Sequence, residues 1–222
     1  MKNANSLLIW MSLVSLACST GHAQGDYEKM NAHVGVPISV PLSQTANYVH
    51  TGSGVVTGAG YNFSAHHSVI GEFMWNRFHA TEAALQPLRA QAQNLDGHSN
   101  LYALTGNYRY ESLGKRFGYY FIAGGGLYYR TTNPSERITS GTGTTCTPTW
   151  LWWGFKCVSG TVVPNQEIGS AGSTSFGGNG GIGFTARVGE APYRLYVEGR
   201  YHYAPNKSIS TKLATITVGI RY

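Results

Sequence analysis

The chain has 222 residues, a formal net charge of +6, and only 12% charged residues beside 29 glycines and 15 tyrosines. The length suits one domain. The positive excess is spread along the chain without a basic tract, which argues against nucleic-acid binding.

Met1 to Ala23 reads as a signal peptide rather than as structure. Lys2 gives it a positive start, and Leu7–Ala17 is an eleven-residue apolar run, too short to span a bilayer as a helix. Gly21 and Ala23 have the small-residue spacing of a cleavage site, so the cut is placed after Ala23 and residues 24–222 form the mature domain. A rival cut at Cys18 would make a lipoprotein, but Ser15-Leu16-Ala17 lacks the apolar residue expected three places upstream.

Eight alternating segments follow: Met30–Pro41, Gly54–Phe63, Ser68–Phe78, Ser99–Tyr110, Gly118–Arg130, Ser175–Val188, Tyr193–Tyr203 and Thr211–Tyr222. Strand side chains alternate between faces, so each segment has an apolar face and a polar one. The pattern is plainest at the end of the chain. Leu195, Val197, Tyr201 and Tyr203 alternate with Arg194, Glu198, Arg200 and His202; Ile216, Val218, Ile220 and Tyr222 alternate with Thr215, Thr217 and Arg221. An ordinary protein core could not hold such charges unpaired. A sheet closed in lipid, apolar outside and polar within, could hold them. The connections also alternate, with those at 42–53, 79–98, 131–174 and 204–210 on one side and tight ones at 64–67, 111–117 and 189–192 on the other. These features predict an all-β, eight-stranded antiparallel up-and-down transmembrane β-barrel with its tight turns in the periplasm. Pro37 lies inside the first strand, where a missing N–H suggests a bulge. The fifth and sixth segments are rich in glycine and need rings such as Tyr108, Tyr128 and Tyr129 to cover them.

The predicted lumen carries an ion-pair network of Glu72, Arg109, Arg187, Glu198, Arg200 and Arg221, with Asn76, Asn107, Asn179 and His202 beside it. Buried charges must pair, and arginine does so through two parallel hydrogen bonds. The network reads either as a structural plug or as a narrow ion path gated by rearranging pairs. Eight strands leave a lumen about filled by side chains, which favours the plug.

After export two cysteines remain, Cys146 and Cys157, both in the longest connection; in an oxidising compartment they read as a disulfide. No metal or cofactor site is expected. Between the cysteines stand Trp150, Trp152, Trp153 and Phe155, a patch that either packs over the barrel mouth or meets a partner surface. His66 and His67 read as a solvated turn, and Glu82–Asn94 as a short rim helix broken by Pro87. Gly178–Gly183 spells GxGxxG, but within a strand it cannot aim amides at a phosphate.

Tyr119–Thr132 (YYFIAGGGLYYRTT), Ser175–Val188, Leu195–Tyr203 and Ile216–Tyr222 together resemble small bacterial outer-membrane β-barrels similar to the transmembrane domain of outer membrane protein A. The resemblance rests on pattern across nearly the whole mature chain. It implies residence in the outer membrane among lipid and lipopolysaccharide, as a monomer. It also implies insertion by the barrel assembly machinery, which reads a final aromatic residue, here Tyr222. Some such barrels are lipid A deacylases, with a histidine followed two residues later by Ser-Asn. Here His202 is followed by Tyr203, Ala204, Pro205 and Asn206, so there is no hydroxyl to activate. The expectation is a structural, non-enzymatic barrel whose external loops meet an extracellular ligand. Narrow-channel and lipid-modifying roles are the alternatives.

Overall fold

A computed structural model describes residues 28–89, 97–134, 146–151, 154–159, 171–189, 191–206 and 209–222. The signal segment 1–23 lies outside them. Strands β1 (Met30–Pro41), β2 (Gly52–Asn62), β3 (His67–His79), β4 (Gly97–Leu113) and β5 (Phe117–Pro134) come first. After them come β6 (Cys146–Leu151), β7 (Gly154–Ser159), β8 (Ala171–Arg187), β9 (Arg194–Ala204) and β10 (Thr211–Arg221). All pairings are antiparallel. Each barrel strand pairs with the next in sequence, β8 follows β5, and β10 closes onto β1, giving an eight-stranded up-and-down barrel. Within the closed part of the wall no strand edge is exposed, the condition for a sheet to cross hydrocarbon.

The expected alternation holds around the wall. Ile216 is 57% exposed while its neighbour Thr217 is 4% exposed. Val36 and Ile38 on β1, Phe73 on β3, Leu104 on β4 and Phe184 on β8 are likewise exposed. Large apolar side chains thus cover the outside on every barrel strand, and aromatic side chains lie toward both ends. One group, around Phe63, Tyr108 and Tyr110, is at the end of the short turns. The other, with Tyr102 stacked on Tyr129 at 6.2 Å, is toward the long connections. This is the outer face of a membrane barrel.

Three departures from the sequence reading have physical causes. First, Pro37 makes no bulge. The β1–β2 ladder skips Val36 and Pro37 and resumes with its register unchanged, because the missing N–H removes a bond without adding a residue. Second, β4, β5 and β8 run to 17, 18 and 17 residues, longer than a bilayer requires, and project past the barrel at the long-connection end. Third, the longest connection contains a β-hairpin of β6 and β7. Helix α1 (Glu82–Arg89) begins where expected: the Ala84 N–H donates to Thr81 Oγ1 at 3.2 Å, an N-cap, and Pro87 lies within the helix.

If the outer face lies in hydrocarbon, the cost of a charge there depends on depth. Ile216→Arg, halfway along β10, should lower unfolding free energy by about 2–4 kcal/mol, and Val40→Arg, near the strand end, by about 0–1 kcal/mol. Urea unfolding of the refolded barrel in phospholipid vesicles measures both; equal costs would remove the bilayer from this surface.

Candidate functional site: the closed bore

The bore is filled in two layers. The layer nearer the short turns is charged. Arg200 of β9 lies between two carboxylates. Its Nη1 and Nη2 donate to Glu72 Oε1 and Oε2 at 2.5 and 3.1 Å, and its Nε donates to Glu198 Oε1 at 2.8 Å. Glu72 also meets His33 Nε2 at 3.1 Å. The Tyr120 hydroxyl donates to Glu198 Oε2 at 2.9 Å. Below this clamp, Glu111 is paired with Arg221, and Arg109 Nε lies 3.2 Å from it as a charge contact. The guanidinium groups of Arg109 and Arg221 stand 5.8 and 5.1 Å from the Tyr120 ring centroid, within cation–π range. All these charged side chains are buried. Charge-assisted, two-point bonds of this kind hold ions out of water only where nearly every acceptor is used.

Glycine makes room for the rings. Tyr196 occupies the space where side chains at Gly35 and Gly219 would project, and Tyr120 the space at Gly183. Tyr129 covers Gly172. The void beside the network, lined by His33, Arg109, Tyr120 and Arg200 among others, is about 10 Å³, the scale of one water.

The second layer, toward the long connections, is mainly apolar, with Asn76 and Arg130 buried on the rungs of Leu101. Val56, Met74, Phe78, Leu101, Tyr128 and Leu213 form one buried cluster across the bore, with Val49 and Ala204 at its edge. Between the layers, Asn179 Nδ2 donates to Asn107 Oδ1 at 2.9 Å, and His202 Nδ1 meets the Tyr128 hydroxyl at 3.0 Å.

Glu72, Arg109, Glu198, Arg200 and Arg221 therefore meet inside the barrel. Arg187 does not join them. It has inward parity but stands exposed on the last rung of β8, where the bore opens at the short turns. Sequence reasoning missed Glu111, His33 and Tyr120. Glu111 falls one residue beyond the segment assigned to its strand, and the inward parity of β1 and β5 would have flagged the other two. His66 and His67 are more packed than a solvated turn implies: His66 Nδ1 meets Glu111 O at 2.8 Å, and His67 contacts the Tyr108 hydroxyl. Tyr222 is exposed on the outer face and exchanges two backbone bonds with Ala32, at 2.8 and 3.2 Å. In the hairpin, Trp150 stands opposite Phe155, Cys157 opposite Pro148 and Cys146 opposite Ser159; Trp152 and Trp153 lie outside the described residues. No group of three or more potential metal ligands comes together among the described residues.

No family model matches the sequence, and no curated protein matches it. Among solved structures the chain is similar to Ail, the attachment invasion locus protein of Yersinia pestis. The identity is 15% and the TM-score 0.48, covering 88% of this chain and 100% of that one. It is similar to Neisserial surface protein A at 14% identity and TM-score 0.49, covering 86% and 95%. It is also similar to outer membrane protein OprG of Pseudomonas aeruginosa at 12% identity and TM-score 0.45, covering 87% and 94%. These neighbours are small bacterial outer-membrane barrels. Identities of this order assign no ligand or activity to this chain.

Removing Arg200 strands two buried carboxylates. Arg200→Met should cost about 3–5 kcal/mol of unfolding free energy, and replacing Glu72, Glu198 and Arg200 together by apolar residues should recover most of it. The urea assay reads both; a loss below about 1 kcal/mol for Arg200→Met would mean that water screens the clamp.

Proposed function

We propose that this chain is an outer-membrane barrel that transports nothing and catalyses nothing, and that presents its long-connection end to the exterior as an interaction surface. The observation that carries this reading is the double closure of the bore. A path for ions would have to separate Arg200 from Glu72 and Glu198 and then cross the apolar layer of Phe78, Leu101 and Leu213. Each step removes charge compensation or hydration from the passing ion. The alternative as a lipid-modifying enzyme is disfavoured by His202, which is buried in the bore, away from the lipid face, with Ala204 buried two residues on. Insertion by the assembly machinery through Tyr222 and a monomeric state belong to the same proposal.

The exterior end has material for recognition. β4, β5 and β8 extend the wall beyond the bilayer, and the β6–β7 hairpin brings Trp150 opposite Phe155. A disulfide between Cys146 and Cys157 would pre-order this hairpin and lower the entropy lost on binding. The present register sets the two cysteines on a diagonal, a spacing of roughly 7–8 Å in a regular ladder. A bridge therefore asks the hairpin to slide, since bonded cysteines stand within about 7 Å.

In planar bilayers the purified barrel should give no conductance steps. Ohmic steps that vanish when Arg200 and Arg221 are replaced would overturn the plug. Deleting Cys146–Cys157 should abolish the adhesion that expression confers on a heterologous Gram-negative host while leaving heat-modifiable migration intact. Adhesion that survives the deletion would remove the hairpin from the reading, and a thiol that alkylates before reduction would remove the disulfide.

A further inference from the structure

At the long-connection end of β3 and β4 stands a pair of histidines on the outer side of the wall. His79 and His98 are directly opposite in the β3–β4 ladder. On the next rung the Ala80 N–H donates to Gly97 O at 2.8 Å. Antiparallel rungs alternate between hydrogen-bonded and open, so the histidine rung is an open one, where opposed side chains approach most closely. Both residues have outward parity; His79 is exposed and His98 half-buried. Their ring centroids are 4.6 Å apart, with the planes at 73°.

The backbone beneath the pair is held in place. The His50 N–H donates to His79 O at 2.8 Å, and Val49 bridges Ala80 across the same corner. Imidazole nitrogens bind zinc at about 2.0–2.1 Å in tetrahedral geometry, which sets two rings sharing one ion roughly 5 Å apart, centre to centre. The observed separation is a few tenths of an ångström shorter, so the rings would turn from their edge-to-face contact to share an ion.

We propose that His79 and His98 form a two-imidazole site for a late first-row divalent cation: zinc, nickel or copper. Water or an added ligand would complete the coordination shell. Imidazole suits these ions, whereas magnesium and calcium require oxygen ligands. Copper should bind most tightly, following the general affinity order of such sites. The ion would tie β3 to β4 at the root of the connection that carries α1, on the end assigned above to the exterior. The site does not depend on that assignment, because its ligands belong to the barrel wall.

Calorimetric titration of the refolded barrel in detergent with copper, nickel and zinc tests this. One saturable equivalent is expected, with no binding of magnesium or calcium. His79→Ala and His98→Ala should each weaken binding by at least the roughly 10–100-fold that loss of an outer-shell partner costs at metal sites. The His66→Ala/His67→Ala variant, altered at the opposite end, and the Cys146→Ser/Cys157→Ser variant should bind as the native chain does. Absence of saturable binding, binding untouched in both single histidine variants, or loss in either control would each overturn the site. Heat-modifiable migration establishes that every variant is folded, and conductance and adhesion are read separately, so failure here leaves the surface reading standing.

Discussion

The constraint on which the structure rests is that charges sealed inside a lipid-spanning cylinder must be met there by opposite charge or by hydrogen-bond acceptors. Arg200 is where this is met most tightly. One guanidinium spans two carboxylates on different strands, Glu72 on β3 and Glu198 on β9. These three side chains together carry one formal negative charge in excess. The neighbouring cluster, one carboxylate at Glu111 facing Arg109 and Arg221, has one positive charge in excess. Tyr120 joins them, its hydroxyl donating to the negative cluster and its ring lying under the positive one. Complementary clusters in contact are what a medium of low dielectric favours, since neither excess can be screened by water.

Much of this was legible from period-two alternation because hydrocarbon admits no exceptions on the outer face. Val197, Val218 and Ile220 fix the outward parity of the last two strands, and Glu198, Arg200 and Arg221 then face inward by necessity. Less was legible where that constraint weakens. Alternation marks strand ends poorly: β4 reaches past Tyr110 to include Glu111 at the short-turn end, and β5 reaches past Arg130 at the other. Parity also cannot tell a bore from its mouth: Arg187 keeps the inward alternation yet reaches solvent on the last rung. The apolar layer around Phe78 and Leu101 escaped notice because an inward apolar residue in a membrane strand breaks the polar-inside rule. The hairpin escaped for a different reason: β6 and β7 are each six residues long, which gives too few alternations to separate a strand from a loop.

The two layers close the bore by different physics. In the charged layer, strength comes from direction: each carboxylate oxygen of Glu72 and Glu198 has a donor placed for it. In the apolar layer it comes from packing, which is indifferent to direction but intolerant of voids. A solute that disturbed one would still meet the other. A bore sealed twice, with a void of about 10 Å³ between Tyr120, Tyr196 and the guanidinium groups, leaves little internal freedom for a functional motion.

The glycines carry this point to function. Eight strands fix the bore's width, so large inward groups fit only where the facing wall is bare. Tyr196 lies against Gly35 and Gly219, and Tyr120 against Gly183. These tyrosines in turn hold the charges in register, so the wall, the rings and the ion pairs constrain one another. Such an interior is a scaffold: each part is specified by its neighbours, and none can shift alone without exposing a charge or opening a cavity. On the proposed reading, such a barrel meets its surroundings through the long connections rooted on β3, β4, β5 and β8.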